Sequence, residues 1–405
     1  MHKIGLIPSP GVSRKHVEAV IPDIKEQLNQ RVNDQQEWVF QLHVDLMIGS
    51  AEDVHESIDK AAKMKEKHDW DFVVCITDLP SISGNKVVIS DFNNDKQVAM
   101  LSLPSLGWID LRRKLRDSLT SIIEQLYYST SRVAPKIHPL IHPKAVEPNE
   151  DETPKQRYIH RWFILSWIQL ILGLTRANEP WKNIFNFKKI ISVAFATGTY
   201  VSIFSMPWEL SIQYSIVRFI ILMLIAILGM TGWLLYAHQL IERKTAKSQR
   251  VYRYIYNFTT IFTLFIITLL NYIILYLLLA ISVSLFVPPS LFNQWTSAHP
   301  HFTFINYVKL VWFVSSLGLL AGAMGSTVEN EEKIRQITYS YRQYHRYKEA
   351  EQEKKEKEQA QSSSHDASNQ QVEESASNKQ NNDNQQDEHK KQDHREEETT
   401  WVKKN

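Results

Sequence analysis

The sequence predicts an α/β domain, an all-α membrane region of four helices and a disordered C-terminal tail. Three observations carry that expectation. Residues 3 to about 128 alternate short β-branched runs with helical periodicity, the pattern of layered α/β domains. Between Ile190 and Gly325 lie four apolar blocks, each near or above the roughly 20 residues a helix needs to cross a bilayer. From Gln361 onward Ser, Asn, Gln, Glu, Lys and Asp dominate, a composition that buries too little apolar surface to fold.

Whole-chain averages conceal this division. With 43% hydrophobic residues and a mean hydropathy of -0.29, the 405-residue chain looks soluble only because three unlike segments are averaged. The formal net charge of +2 gives no basic field of the kind that attracts nucleic acid, and none is expected as a partner. A single cysteine, Cys75, excludes an intramolecular disulfide and a Cys-based zinc site. It sits in the apolar run Phe72 to Ile76 as a small core residue. The N-terminus leads straight into a strand and lacks the apolar core of a signal peptide, so the first domain is expected in the cytoplasm.

Within residues 1–128 the elements follow in order. Lys3 to Ile7 is a strand, followed by a helix capped by Ser13 that runs to about Arg31, with Pro22 as a kink. Trp38 to Met47 is the second strand, and Ala51 to His68 a helix capped by Ser50. Asp71 to Thr77 is apolar on both faces and therefore central. Lys86 to Asp91 and Gln97 to Leu103 form a hairpin around Asn93, Asn94 and Asp95. The last helix, Asp110 to Tyr128, carries an apolar stripe at Leu111, Leu115, Leu119, Ile122 and Leu126. Residues 129–157 read as a Pro-rich linker in which Pro139 and Pro143 prevent a helix through His138 and His142.

The membrane region begins after an apolar stretch, Trp162 to Leu174, that is too short to span. With Trp162, Trp167 and Trp181 around it, the segment 158–189 reads as an interfacial helix; packing beneath the soluble domain is the alternative. The four spans are expected at about 190–206, 216–236, 255–287 and 305–325. Pro207 ends the first and Pro288 and Pro289 the third, which is long enough to tilt or project. Gly318 and Gly322 place a GxxxG pair on the fourth, suited to close helix packing. Lys and Arg cluster after the second span (Arg243, Lys244, Lys247, Arg250, Arg253) and after the fourth (Lys333, Arg335, Arg342), while the two outer connections have none. This alternation predicts cytoplasmic termini. Residues 328–360 read as a charged cytoplasmic helix, compatible with a coiled coil, with a Tyr and Arg band suited to headgroups.

Candidate sites are sparse. Ligands in open α/β sheets favour the carboxyl ends of strands, which singles out Ser9, Gly11 and Asp78; the alternative is that these residues only shape turns. One glycine follows the first strand where a dinucleotide fingerprint has three, and no Walker lysine, GxSxG or HExxH motif occurs. No catalytic set, metal or cofactor is expected. Within the spans, Arg218 and Lys309 near their outer ends and Asn271 at mid-span are the polar residues to explain. Glu209 is close enough in sequence to pair with Arg218. No Asp or Glu lies in a span, which weighs against transport.

The runs Val73 to Pro80 (VVCITDLP), Val98 to Gly107 (VAMLSLPSLG) and Arg176 to Trp181 (RANEPW) resemble those of an uncharacterised family of multi-pass membrane proteins, chiefly of Gram-positive bacteria. The resemblance covers residues 1 to about 330. Some members are labelled methylenetetrahydrofolate dehydrogenase, a label without support here because the dinucleotide fingerprint is missing. The resemblance implies an architecture and a bacterial plasma-membrane location; it does not assign an activity. The element order of the first domain is also similar to the N-terminal half of zincin-like peptidases such as archaemetzincins. In those the helix after the hairpin carries zinc-binding histidines, whereas Asp110 to Tyr128 has none. That similarity therefore implies a metal-free relative.

Taken together, the sequence favours a non-enzymatic membrane protein whose cytoplasmic domain binds a ligand or partner. An enzyme using Asp78 and Ser9, and a transporter or pore subunit, are the alternatives. The expected partners are the lipid bilayer and a protein at the cytoplasmic face, with a homo-oligomer left open.

Overall fold

The computed structural model describes residues 1–32, 37–44, 54–131, 143–146, 156–160, 162–242, 250–296, 304–324 and 334. The chain divides into two compact units, Met1–Gln343 and Tyr344–Asn405, and all described residues lie in the first. The expected tail, the charged helix at 328–360 apart from Ile334, the Ser50 cap and the cations at 243–249 fall outside the described residues.

Strands β1 (His2–Pro8), β2 (Trp38–Leu42), β3 (Phe72–Thr77) and β6 (Val98–Ser102) form the parallel part of one sheet, in the order β2-β1-β3-β6. Helix α1 (Val12–Arg31) crosses from β1 to β2, and α2 (Val54–His68) returns to β3 on the opposite face. β3 is buried along its whole length, as expected of a central parallel strand. Its side chains alternate between two cores. Phe72, Val74 and Ile76 join Val17, Val20 and Ile24 of α1 and the Leu115–Leu119–Ile122 stripe of α3 (Leu111–Ser131). Val73 and Cys75 join Ile58 and Ala61 of α2. The result is a three-layer α/β/α domain.

Beyond β6 the sheet turns antiparallel. β5 (Lys86–Asn93) pairs with β6, and the short β4 (Ser81–Ser83) pairs with β5. Two further strands, β7 (Pro143–Val146) and β8 (Gln156–His160), continue the sheet past β5. The domain thus extends to His160, through the stretch expected to be a linker. The physical reason is the edge: β5 would otherwise present unpaired N–H and C=O groups. Asp91 on β5, 1% exposed, accepts from Arg157 Nε on β8 at 2.6 Å, and Arg157 also donates to Ser83 Oγ.

Among the described residues the remainder is mainly helical: α4 (Phe163–Ala177), α5 (Lys188–Ser202), α6 (Ser205–Gln213), α7 (Ile216–Ala237), α8 (Arg250–Phe286), α9 (Pro289–Trp295) and α10 (Phe304–Met324). Three of these, α7, α8 and α10, are long and apolar enough to cross a membrane. The expected first span is broken: the α5 segment and α6 meet at 88°, and only the bent pair taken together makes a fourth. Pro207 explains the break. It cannot continue α5, but it fits the first turn of a new helix, where no N–H is required. Trp208 Nε1 then donates back to the Ser202 carbonyl at 2.7 Å. α10 packs along α5, and Gly318 is the point of closest approach: a Cβ there would lie 2.6 Å from the Ala194 carbonyl oxygen.

Candidate functional site

With strand order β2-β1-β3, the connections leave β1 and β3 in opposite directions, so the carboxyl ends of these strands flank the crevice where such sheets place ligands. Pro8 is in register with Ile76, so Ser9 and Asp78 follow adjacent strand ends. Ser9 donates its N–H to the Ile76 carbonyl at 2.8 Å and its hydroxyl to the same oxygen at 3.3 Å. Asp78 is buried and engaged in an interaction of its own. Its loop is held by Leu79 N–H donating to Thr77 Oγ1 at 3.1 Å and by Ser102 Oγ donating to the Leu79 carbonyl at 2.7 Å.

Gly11 is the N-cap of α1, with φ 90° and ψ -119°, a conformation that suits a residue without Cβ. The expected cap, Ser13, is instead the second residue inside the helix. Its hydroxyl makes no capping bond. The first turn holds no acid; it continues into Arg14, Lys15 and His16. Burial pushes His16 below the ordinary imidazole range, the Arg176 cation adds to that, and Glu179 opposes it. Arg176 lies in the last turn of α4 and Glu179 just after it, so the juxtamembrane chain reaches the start of α1.

The strand-end edge is also where the helical region docks. Leu79, next to Asp78, packs with Tyr252 and Tyr256 of α8. Val87, at the start of β5, packs with Leu170 and Leu174 of α4 and Ile255 of α8. Gly173 brings α4 so close to the 3-10 turn Leu103–Leu106 that a Cβ would overlap the Pro104 carbonyl. Arg176 donates to the Trp108 carbonyl, and Asn178 Nδ2 donates to Thr263 Oγ1 of α8 at 2.8 Å. His160, the last residue of β8, lies 2.8 Å from the Ser105 carbonyl through Nε2. Burial holds its pKa below the usual value, with the Ser105 carbonyl opposing and the Lys114 cation reinforcing.

α4 is apolar on its outer face as well as on the face that buries Leu170 and Leu174. Its buried residues include Ser166, Gly173 and Thr175. The exposed ones include Phe163 at 56%, Ile164 at 73%, Leu165 and Ile168, with Trp162 just before the helix. A helix in water hides such residues. At 15 residues it is about 22 Å long, short of the roughly 30 Å hydrocarbon core.

The three polar residues singled out within the spans lie on three different helices. Arg218 is exposed in the first turn of α7, with its guanidinium 5.0 Å from the centre of the Tyr214 ring. Lys309 is half-buried in the second turn of α10. Asn271, 5% exposed, lines a cavity of about 10 Å³ with Thr268, Met230, Leu234 and Leu319, room for about one water. Glu209, a sequence neighbour of Arg218, accepts from Gln213 Nε2 at 2.8 Å. Among the described residues no three His, Cys, Asp or Glu side chains converge to hold a metal ion. Sequence reasoning selected Ser9, Gly11 and Asp78 but missed Ser13, His16 and Arg176. The crowding of cations into the first turn of α1 was the available signal.

Comparison with family models, curated proteins and solved structures gives no match to this chain.

Proposed function

We propose that this chain is a multi-pass membrane protein whose α/β domain is a non-catalytic binding module on the cytoplasmic face of a bacterial plasma membrane, related to the membrane family it resembles. One observation carries the reading: the loop that bears Asp78 packs through Leu79 onto Tyr252 and Tyr256 of α8. A ligand or partner at the strand ends therefore meets residues coupled by direct packing to a helix long enough to cross the bilayer. The distribution of Lys and Arg supports cytoplasmic termini. The absence of metal-binding, nucleophile–base and dinucleotide motifs from the sequence supports binding over catalysis.

The test is a thermal-shift screen of the full chain in detergent micelles against metals, nucleotides, folates and fractionated cell extract. A ligand at 100 times its dissociation constant stabilises by about 2.7 kcal/mol, and Asp78→Asn is expected to reduce that gain. Reporter fusions at residue 405 give the second arm. A reporter active only outside the cell sinks the cytoplasmic reading, and turnover of a screened compound that is lost in Asp78→Asn sinks the non-catalytic one.

A further inference from the structure

The start of α1 is charged the wrong way for an isolated helix. The positive end of a helix macrodipole favours acids and repels cations. Here the first turn holds no acid, and Arg14, Lys15 and His16 follow one another at its start. Arg14 is offset by Glu18, 2.7 Å away. Lys15 is exposed. His16 feels the further cation of Arg176. With Gly11 at the N-cap there is no capping side chain, so the N–H groups of Val12, Ser13 and Arg14 have no acceptor within the helix.

An independent observation points the same way. Ser13 is 0% exposed, and its Oγ meets no hydrogen-bond partner among the described residues. A buried hydroxyl left in that state is costly and calls for an explanation. Ser13 begins the buried face that continues through Val17, Val20 and Ile24, in the same first turn as the free N–H groups.

We infer that the N-terminus of α1 is a phosphate-binding site, in which the N–H groups of Val12, Ser13 and Arg14 and the Ser13 hydroxyl donate to a phosphate monoester, with Lys15 and Arg176 supplying positive charge. Helix N-termini bind such groups through directed N–H donors and the macrodipole together. Two acids lie nearby. Glu179 is neutralised by Lys182 at 2.6 Å, and Asp78 is engaged in its own interaction. A single glycine suffices here, because a monophosphate needs less close backbone approach than a dinucleotide pyrophosphate. The inference rests on the binding-module reading and names the chemistry of its ligand. The phosphate belongs either to a soluble compound or to a lipid headgroup reached from the α4 side.

Inorganic phosphate is titrated into the full chain in micelles at constant ionic strength, with calorimetry and thermal shift as readouts. Saturable binding is expected, weakened about tenfold or more in Ser13→Ala, the loss of a hydrogen bond to a charged group, and weakened again in Lys15→Gln. Ser13→Ala should fold with unchanged or higher stability without phosphate, because it removes a hydroxyl that has no partner. Phosphate binding that disappears in nanodiscs containing phosphatidic acid, and persists in pure phosphatidylcholine discs, identifies a lipid source; equal binding in both identifies a soluble one. No saturable binding into the tens-of-millimolar range, or equal binding in Ser13→Ala, overturns the site. Hits in the wider screen without phosphate binding leave the binding-module reading standing. An external α/β domain sinks that reading without touching the titration.

Discussion

Replacing Gly318 with alanine isolates the α5–α10 contact. The added Cβ would lie 2.6 Å from the Ala194 carbonyl oxygen, against the 3.4 Å at which ordinary contact begins. The two helices must then part by roughly 0.8 Å, a gap that forfeits a quarter to a half of each dispersion contact it opens. Gly198 and Gly322 border the same seam, but an added Cβ at Gly198 meets first the Leu279 side chain, whereas at Gly318 all three nearest atoms are backbone and no side-chain rotation relieves the overlap. Overpacking of this kind costs about 1–3 kcal/mol. Gly232 of α7 is the matched control, because nothing lies within 4 Å of its added Cβ. Gly232→Ala should be neutral or gain up to about 1 kcal/mol through helix propensity. Unfolding of the full chain in micelles, followed by tryptophan fluorescence, reads both. Opposite signs are expected; equal shifts would mean that the seam is not a close contact and would refute the packing argument.

Further outcomes follow from the domain and its attachment. Arg157→Leu removes the cation from the buried Asp91 carboxylate and should cost up to about 3–5 kcal/mol, with part regained in the double variant Asp91→Asn, Arg157→Leu; unfolding read through exposure of Cys75, 2% exposed in the native protein, measures both. His16 and His160 have folded pKa values below their ordinary ones, chiefly through burial. The unfolded chain therefore binds more protons as pH falls below about 6.5, so the stability from these groups is present above that pH and lost below it. Melting curves from pH 7.5 to 5 should show that loss, flattened in His16→Gln and in His160→Gln; a flat wild-type profile contradicts it. Finally, a fluorescent label at Ile164→Cys should report an apolar environment in vesicles and be quenched by brominated lipid. An aqueous spectrum there would mean that the exposed face of α4 meets no lipid.

The sequence made the parallel half of the domain legible because each strand there carries its own apolar signal, from Phe72–Thr77 to Val98–Ser102. β7 and β8 carry none: Pro143–Val146 and Gln156–His160 are short, polar and flanked by prolines, and only the need to cover β5 recruits them. The same limit appears at the first span. Composition locates the apolar block, but the angle at which Pro207 restarts the helix depends on Trp208 reaching Ser202. Ser13 shows local preference overruled. Serine is favoured as an N-cap, yet the turn after β1 needs φ 90°, which only Gly11 supplies without strain, and so the helix begins two residues earlier. That shift turns Ser13 from a cap into a buried hydroxyl without a partner among the described residues. Spacing places Ser9 and Asp78 at strand ends, but it does not show that α4 and α8 stand beside them.

The length of α8 accounts for that arrangement. Its 37 residues make about 55 Å of helix, well beyond the roughly 30 Å of a hydrocarbon core. Tilt absorbs part of such an excess, but the α/β domain uses the first turns directly: Tyr252, Ile255 and Tyr256 are buried against Leu79, Ile82 and Val87. Two turns further on, Thr263 takes the Asn178 amide that closes α4. A displacement of the Asp78 loop must therefore either carry the start of α8 with it or break the Leu79 packing. A movement of α8 in turn reaches Asn178 and, two residues before it, Arg176 in the last turn of α4 beside His16. The strand-end crevice, α4 and α8 thus form one mechanical unit, and a ligand that differs in affinity between two positions of the loop would shift all three together.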